Sequence, residues 1–209
     1  MDIKAVLFDM DGVLIEAKEW HYEALNRALS LFGMEISRYD HLITFDGLPT
    51  KKKLEMLSQE RGLPIALHQF INDLKQRYTM EIIYARCKPC FHHEYAVSRL
   101  KIEGFKMAVC SNSIRASVEA MLEKSALLHY MDITISNQDV QFPKPDPEMY
   151  VKAISNFGLS PRECLIIEDN EAGIKAAIAS GAHVLRVAST DEVNYQNIRE
   201  EIQRIGLLE

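Results

Sequence analysis

Asp9 and Asp11 close the apolar run Ala5-Val6-Leu7-Phe8 and lead into Gly12. Residues i and i+2 of an extended chain point to the same side, so both carboxylates can face one reacting centre. Crowded anions need a cation or a shared proton, which points to a metal, a perturbed carboxyl, or both. The plainer alternative is a solvated turn in which Gly12 supplies a positive φ. Three later apolar runs also end in polar clusters. Residues 107–110 lead to Ser111-Asn112-Ser113 ahead of a helix beginning near Ile114, which suits anion binding or ordinary capping by Asn112 or Ser113. After residues 133–135 comes Phe142-Pro143-Lys144-Pro145-Asp146-Pro147. Its prolines fix the direction of the lysine and also suit a helix start, with Asp146 as N-cap and Pro147 at the first helical position. Residues 164–167 run into Glu168-Asp169-Asn170 and Glu171-Ala172-Gly173. Adjacent acids there suit a hard, oxygen-liganded cation such as Mg2+, or the positive end of a helix dipole.

The elements that must position these groups follow from a change of rhythm. Apolar residues recur at helical spacing over residues 17–32, 51–61 and 66–84, with no comparable strand between them. From Cys90 onward, helices alternate with short apolar strands at 107–110, 133–135, 164–167 and 184–187. Such alternation predicts an α/β fold with a doubly wound, Rossmann-like parallel sheet. The core spans residues 1–15 and 87–209, and a helical cap, residues 16–86, is inserted after the first strand. The carboxyl ends of parallel strands share one edge, so the four clusters converge there, beneath the cap.

Composition narrows the function classes. A formal net charge of −6 in 209 residues argues against nucleic acid or an anionic membrane as partner. No apolar stretch approaches the roughly 20 residues of a membrane span, and the chain opens on a strand pattern, so it reads as cytoplasmic. The four cysteines are too few for a disulfide framework; Cys110 and Cys164 read as small buried hydrophobes. In Cys87-Lys88-Pro89-Cys90-Phe91-His92-His93 the potential ligands are too crowded to enclose one tetrahedral zinc, and no second Cys-x-x-Cys exists.

Together, Asp9-Met10-Asp11-Gly12-Val13-Leu14, Ser111-Asn112, Lys144-Pro145 and Glu168-Asp169-Asn170 resemble the four motifs of the haloacid dehalogenase superfamily of phosphotransferases. Within it the chain resembles the β-phosphoglucomutase-like group, and the resemblance covers nearly its whole length. It implies that Asp9 is the nucleophile that forms an aspartyl-phosphate. Asp11 becomes the general acid and then the base, with a raised pKa once substrate is bound. Ser111, Asn112 and Lys144 would bind the transferring phosphoryl group. Mg2+ would sit between Asp9, the backbone carbonyl of Asp11 and Asp169, with Glu168 as a direct or outer ligand.

The cap departs from its relatives. Glu16-Ala17 stands where Asp-Ser or Asp-Thr is usual, whereas Glu19-Trp20-His21 keeps the acidic, aromatic, histidine order. His21 would contact Asp11 or substrate, or else face solvent on the first cap helix. Phe45-Asp46-Gly47-Leu48-Pro49-Thr50-Lys51-Lys52-Lys53 resembles the substrate-specificity loop around Gly47. Thr50 replaces an arginine that sugar-bisphosphate mutases use on the distal phosphate, leaving Lys51, Lys52 or Lys75 as candidates for an anionic group. Pro143 replaces a glycine before the third-motif lysine. The expectation is a Mg2+-dependent phosphatase acting on a small phosphorylated metabolite such as a sugar phosphate, with a phosphomutase as rival and a silent binding module as the remote alternative. A monomer suffices, since all the proposed catalytic groups come from one chain.

Overall fold

Strand β1 (Ala5–Phe8) is buried along its whole length, the environment an unbroken apolar run requires when both faces of a parallel sheet are covered. The computed structural model describes residues 2–45 and 48–208. Around β1 lie β2 (Lys106–Cys110), β3 (Ile133–Ile135), β4 (Cys164–Glu168) and β5 (His183–Arg186), in the order β3-β2-β1-β4-β5. All pairings are parallel. Phe8 is level with Val109 on one side and with Ile167 on the other. One further step along the chain therefore sets Asp9 beside Cys110 and Glu168. Three strands differ from their expected limits. β2 starts one residue earlier, at Lys106. β4 extends to include Glu168, whose pairing with Arg186 keeps it in the ladder. β5 starts at His183 and ends at the exposed Arg186, because an edge strand with one covered neighbour gives a weaker apolar signal.

The chain divides into two compact units, Met1–Glu16 with Cys87–Glu209, and Ala17–Arg86. In the first, alternate residues of the strands (Ala5, Leu7, Ala108, Cys110, Cys164, Ile166) pack against one another and against Met149, Tyr150 and Ala153 of a later helix. Burying each large apolar side chain contributes about 1.5–3 kcal/mol. Both Cys110 and Cys164 lie in this core as free thiols.

The second unit has a core of its own, including Leu25, Leu29, Phe45, Leu54, Leu57 and Ile71. It is built from α1 (Lys18–Ser30), the short α2 (Arg38–Asp40) with a π-turn over His41–Phe45, α3 (Thr50–Arg61) and α4 (His68–Arg86). Gly62, at φ 72°, ends α3 in the left-handed conformation that glycine adopts without strain. A 3-10 turn, Ile65–Leu67, occupies the expected start of α4. Arg27 and Arg86 reach Glu81 and Glu23 at 2.9 and 2.6 Å, tying α1 to α4. No helix among the described residues is long and apolar enough to cross a membrane.

The sheet unit is completed by α5 (Phe91–Ile102), α6 (Arg115–Lys124), α7 (Glu148–Phe157), α8 (Glu171–Ala179) and α9 (Tyr195–Leu208). In this unit two helix starts differ from expectation. Ile114, rather than Asn112 or Ser113, caps α6. Pro147 caps α7, while Asp146 accepts from the Glu148 N–H at 3.0 Å.

Candidate active site

The turn after β1 folds back on itself. The Met10 carbonyl accepts from Leu14 and Ile15 N–H at 3.0 and 2.9 Å, and Gly12, at φ 97°, donates its N–H to the Ile15 carbonyl at 2.7 Å. A positive φ at this position is what glycine supplies. The turn carries Asp11 to the end of β2, where its Oδ2 accepts from Ser113 Oγ at 3.0 Å and, at the limit of a hydrogen bond, from Ser111 Oγ at 3.4 Å.

Asp9, one residue past the sheet register, is 4 % exposed. Lys144 Nζ meets its Oδ1 at 2.6 Å, Glu168 Oε1 at 2.5 Å and the Cys110 carbonyl at 2.8 Å. Two carboxylates thus share one ammonium in a region closed to water. Burial would lower the pKa of Lys144, but the charges of Asp9 and Glu168 overcome it and hold the ammonium protonated. Burial pushes the Asp9 carboxyl well above its ordinary range; the charges of Glu168 and Asp11 add to this, and Lys144 opposes it.

Around this centre is a ring of positioning contacts. Asn112 Oδ1 accepts from the Lys144 N–H at 3.0 Å, and its Nδ2 donates to the Lys144 carbonyl at 3.1 Å. The amide expected to face a phosphoryl group is thereby engaged at both ends by the lysine's own backbone. Tyr150, fully buried on α7, donates its hydroxyl to Glu168 Oε1 at 2.5 Å and lays its ring 4.7 Å from Lys144 Nζ. The other oxygen of Glu168 accepts from Asp169 N–H at 3.2 Å and Asn170 Nδ2 at 3.4 Å. Gly173, in the first turn of α8, lies so close that a Cβ there would stand 1.9 Å from Glu168 Oε1. Tyr150 was hidden from sequence reasoning because an aromatic in an amphipathic helix reads as core. Gly173 left only a weak signal, a helical glycine that costs about 1 kcal/mol against alanine, and Gly206 in α9 gives the same signal with nothing near it.

Oxygens of Asp9, Glu168 and Asp169 lie within 4.8 Å of one another. An all-carboxylate donor set suits a hard divalent cation, whose charge would offset the burial and the neighbouring carboxylates that together push the Asp9 carboxyl up. The donor set therefore fits Mg2+. Asp11 lies outside this carboxylate trio.

The sheet unit thus brings together Asp9, Asp11, Ser111, Asn112, Lys144, Glu168 and Asp169. The remaining candidates lie in the helical unit. There His21 Nδ1 accepts from Lys75 Nζ at 3.1 Å. Thr50 opens α3, half-buried, and Lys51 beside it is exposed. Gly47 lies outside the described residues.

Known proteins place this geometry. Residues 6–187 match the family model described as haloacid dehalogenase-like hydrolase. The protein CbbY of Rhodobacter capsulatus is 27 % identical over 90 % of this chain and 87 % of its own length. A phosphorylated carbohydrates phosphatase of Thermotoga maritima is 25 % identical over 86 % of this chain and 82 % of its own. In fold, the chain superposes on a β-phosphoglucomutase of Clostridium difficile with a TM-score of 0.83 and 20 % identity, over 98 % of this chain and 99 % of the other. Since the matched span runs from β1 past β5 and takes in every cluster at the carboxyl edge of the sheet, the chain belongs to the haloacid dehalogenase-like hydrolases, as an enzyme with the fold of their β-phosphoglucomutase-like members.

Proposed function

We propose that this enzyme is a Mg2+-dependent phosphatase that hydrolyses a small phosphorylated metabolite, most simply a sugar phosphate, through an aspartyl-phosphate on Asp9. The observation that carries the reading is the sealed contact of Asp9 with Lys144, 2.6 Å long, beside an Asp11 anchored by two serines. An Asp9 oxygen attacks phosphorus, the ester bond breaks, and Asp11 gives its proton to the departing alkoxide. Asp11, now a carboxylate, takes a proton from water as the water attacks the same phosphorus, and inorganic phosphate leaves Asp9 free for another turn. Ser111 and Ser113 fix the orientation of the Asp11 carboxyl for both transfers. Lys144 offsets charge on the transferring group, and Asn112 holds the lysine's backbone in place. Mg2+, held by Asp9, the backbone carbonyl of Asp11 and Asp169, with Glu168 as a direct or outer ligand, would supply the charge that lets one anion attack another.

The phosphatase relative supports the choice of substrate class, and the loss of a mutase arginine at Thr50 supports water as the final acceptor. Substrate selection falls to the helical unit, with His21, the loop around Gly47, Thr50 and Lys51 as candidates. The test is a Mg2+-dependent screen over sugar, polyol and nucleotide monophosphates. It reads free phosphate and isomerised ester together, with and without a bisphosphate activator. Phosphate release abolished in Asp9→Asn is expected. Isomer formed without phosphate release overturns the phosphatase in favour of a mutase; no turnover, with Asp9→Asn indistinguishable from wild type, leaves a binding module.

A further inference from the structure

The segment by which the chain re-enters the sheet unit carries a group of side chains that the phosphatase chemistry does not use. Cys87 and Cys90 do not act there as a pair. Cys87 is buried with its thiol directed to the Met121 carbonyl at 3.6 Å, and burial pushes its pKa up to about 11. Cys90 instead lies 3.1 Å from His92 Nδ1, and the rings of His92 and His93 are 4.2 Å apart between centroids. The thiol sulfur and one nitrogen from each imidazole fall within 4.8 Å of one another.

His93 supplies an independent sign. It is 3 % exposed, and its Nε2 lies 2.9 Å from the Thr190 carbonyl. A carbonyl only accepts, so Nε2 carries the hydrogen and Nδ1 is left as a lone-pair donor. That Nδ1 is buried and has no hydrogen-bond partner. An imidazole fixed by a backbone carbonyl on one nitrogen, with the other presented bare, is the arrangement found in metal-binding histidines.

We propose that Cys90, His92 and His93 form a second metal site, built for a borderline transition ion such as Zn2+ and distinct from the carboxylate cluster. One thiolate and two imidazoles match the preference of such ions, and not that of Mg2+. With metal bonds of about 2.0–2.3 Å, tetrahedral ligands stand roughly 3.3–3.8 Å apart, a spacing that small side-chain adjustments reach from donor atoms all within 4.8 Å of one another. Cys90 and His92 are half-buried, which leaves a route for the ion and a fourth position for water. Removing Cys87 from the set resolves the crowding that counted against a four-ligand site.

The test uses the full chain, stripped with chelator, kept reduced by a non-ligating reductant and saturated with Mg2+. Co2+ is the probe, because it reports a bound thiolate by a charge-transfer absorption. One equivalent with that absorption, displaced by Zn2+, is expected in wild type and in Cys87→Ser, and is absent in Cys90→Ser. His93→Ala tests the buried ligand, and His92→Ala, at a half-buried position, keeps the question open to refutation should the former fail to fold. Zn2+ should also raise the thermal midpoint of wild type but not that of Cys90→Ser. Absence of the thiolate absorption, or its survival in Cys90→Ser, overturns the proposal; none of these readouts uses turnover.

Discussion

Tyr150→Phe removes one oxygen from the buried centre and leaves the rest in place. The ring stays, with its position 4.7 Å from the Lys144 ammonium, so packing and the cation–ring contact are kept. What goes is a hydrogen bond of 2.5 Å from the phenol to Glu168 Oε1. A bond to a charged group contributes about 1.5–3 kcal/mol. Glu168 keeps Lys144 on that oxygen and the Asp169 and Asn170 donors on the other, so no buried atom is orphaned and the lower end, about 1.5–2 kcal/mol, applies. At about 2–4 °C per kcal/mol for a chain of this size, the midpoint should fall by about 3–8 °C. Trp20, the only tryptophan, lies in the helical unit, so circular dichroism rather than tryptophan fluorescence should follow the sheet unit. Because Glu168 also grips Lys144, some of the loss reaches the reacting centre, and kcat should drop by up to about tenfold, with KM changed less. Unchanged melting and unchanged kcat would refute the reasoning. Lower stability with full kcat would confine the Tyr150 hydroxyl to holding Glu168 in the folded core.

Gly173→Ala tests the other side of Glu168. Alanine is the better helix former by about 1 kcal/mol, yet its Cβ would stand 1.9 Å from a buried carboxylate oxygen, so a net loss of about 1–3 kcal/mol is expected in urea unfolding; a stabilised variant contradicts this. At the opposite edge of the sheet, Glu163 is pulled down to about 2 by hydrogen bonds from the Lys4 ammonium and from the Ser160 N–H and hydroxyl. A carboxyl whose pKa is depressed on folding stabilises above its unfolded value, about 4.3, and loses that contribution as pH falls toward its folded value. The difference in thermal midpoint between wild type and Glu163→Gln should therefore shrink from pH 5 downward. A difference independent of pH would show that the charge is not the cause.

Much of the sheet was legible because its central strands β1, β2 and β4 are buried and announce themselves as apolar runs, each followed by the polar residues its carboxyl end presents. Register was not legible, and it is register that sets Asp9 level with Glu168. Contacts between distant side chains were equally hidden. His21 and Lys75 are 54 residues apart and meet only when α1 and α4 pack. Asn112 looked like a ligand or a cap because its amide suits both, and only the fold reveals that Lys144, 32 residues away, engages it. The one-residue shift at the head of α7 has a local cause, since Pro147 lacks an N–H and the Asp146 side chain reaches past it to Glu148.

Lysine has three N–H bonds to give, and in Lys144 all three are spoken for, by Asp9, Glu168 and the Cys110 carbonyl. A phosphoryl oxygen reaching this ammonium can only do so by exchange, and in the proposed mechanism Asp9 is the partner whose oxygen would change character on becoming an acyl phosphate. On that mechanism the lysine would act as a latch on the nucleophile, opened by the event it serves. An anion that offers none of these three acceptors a new bond has nothing to trade for the one it would break.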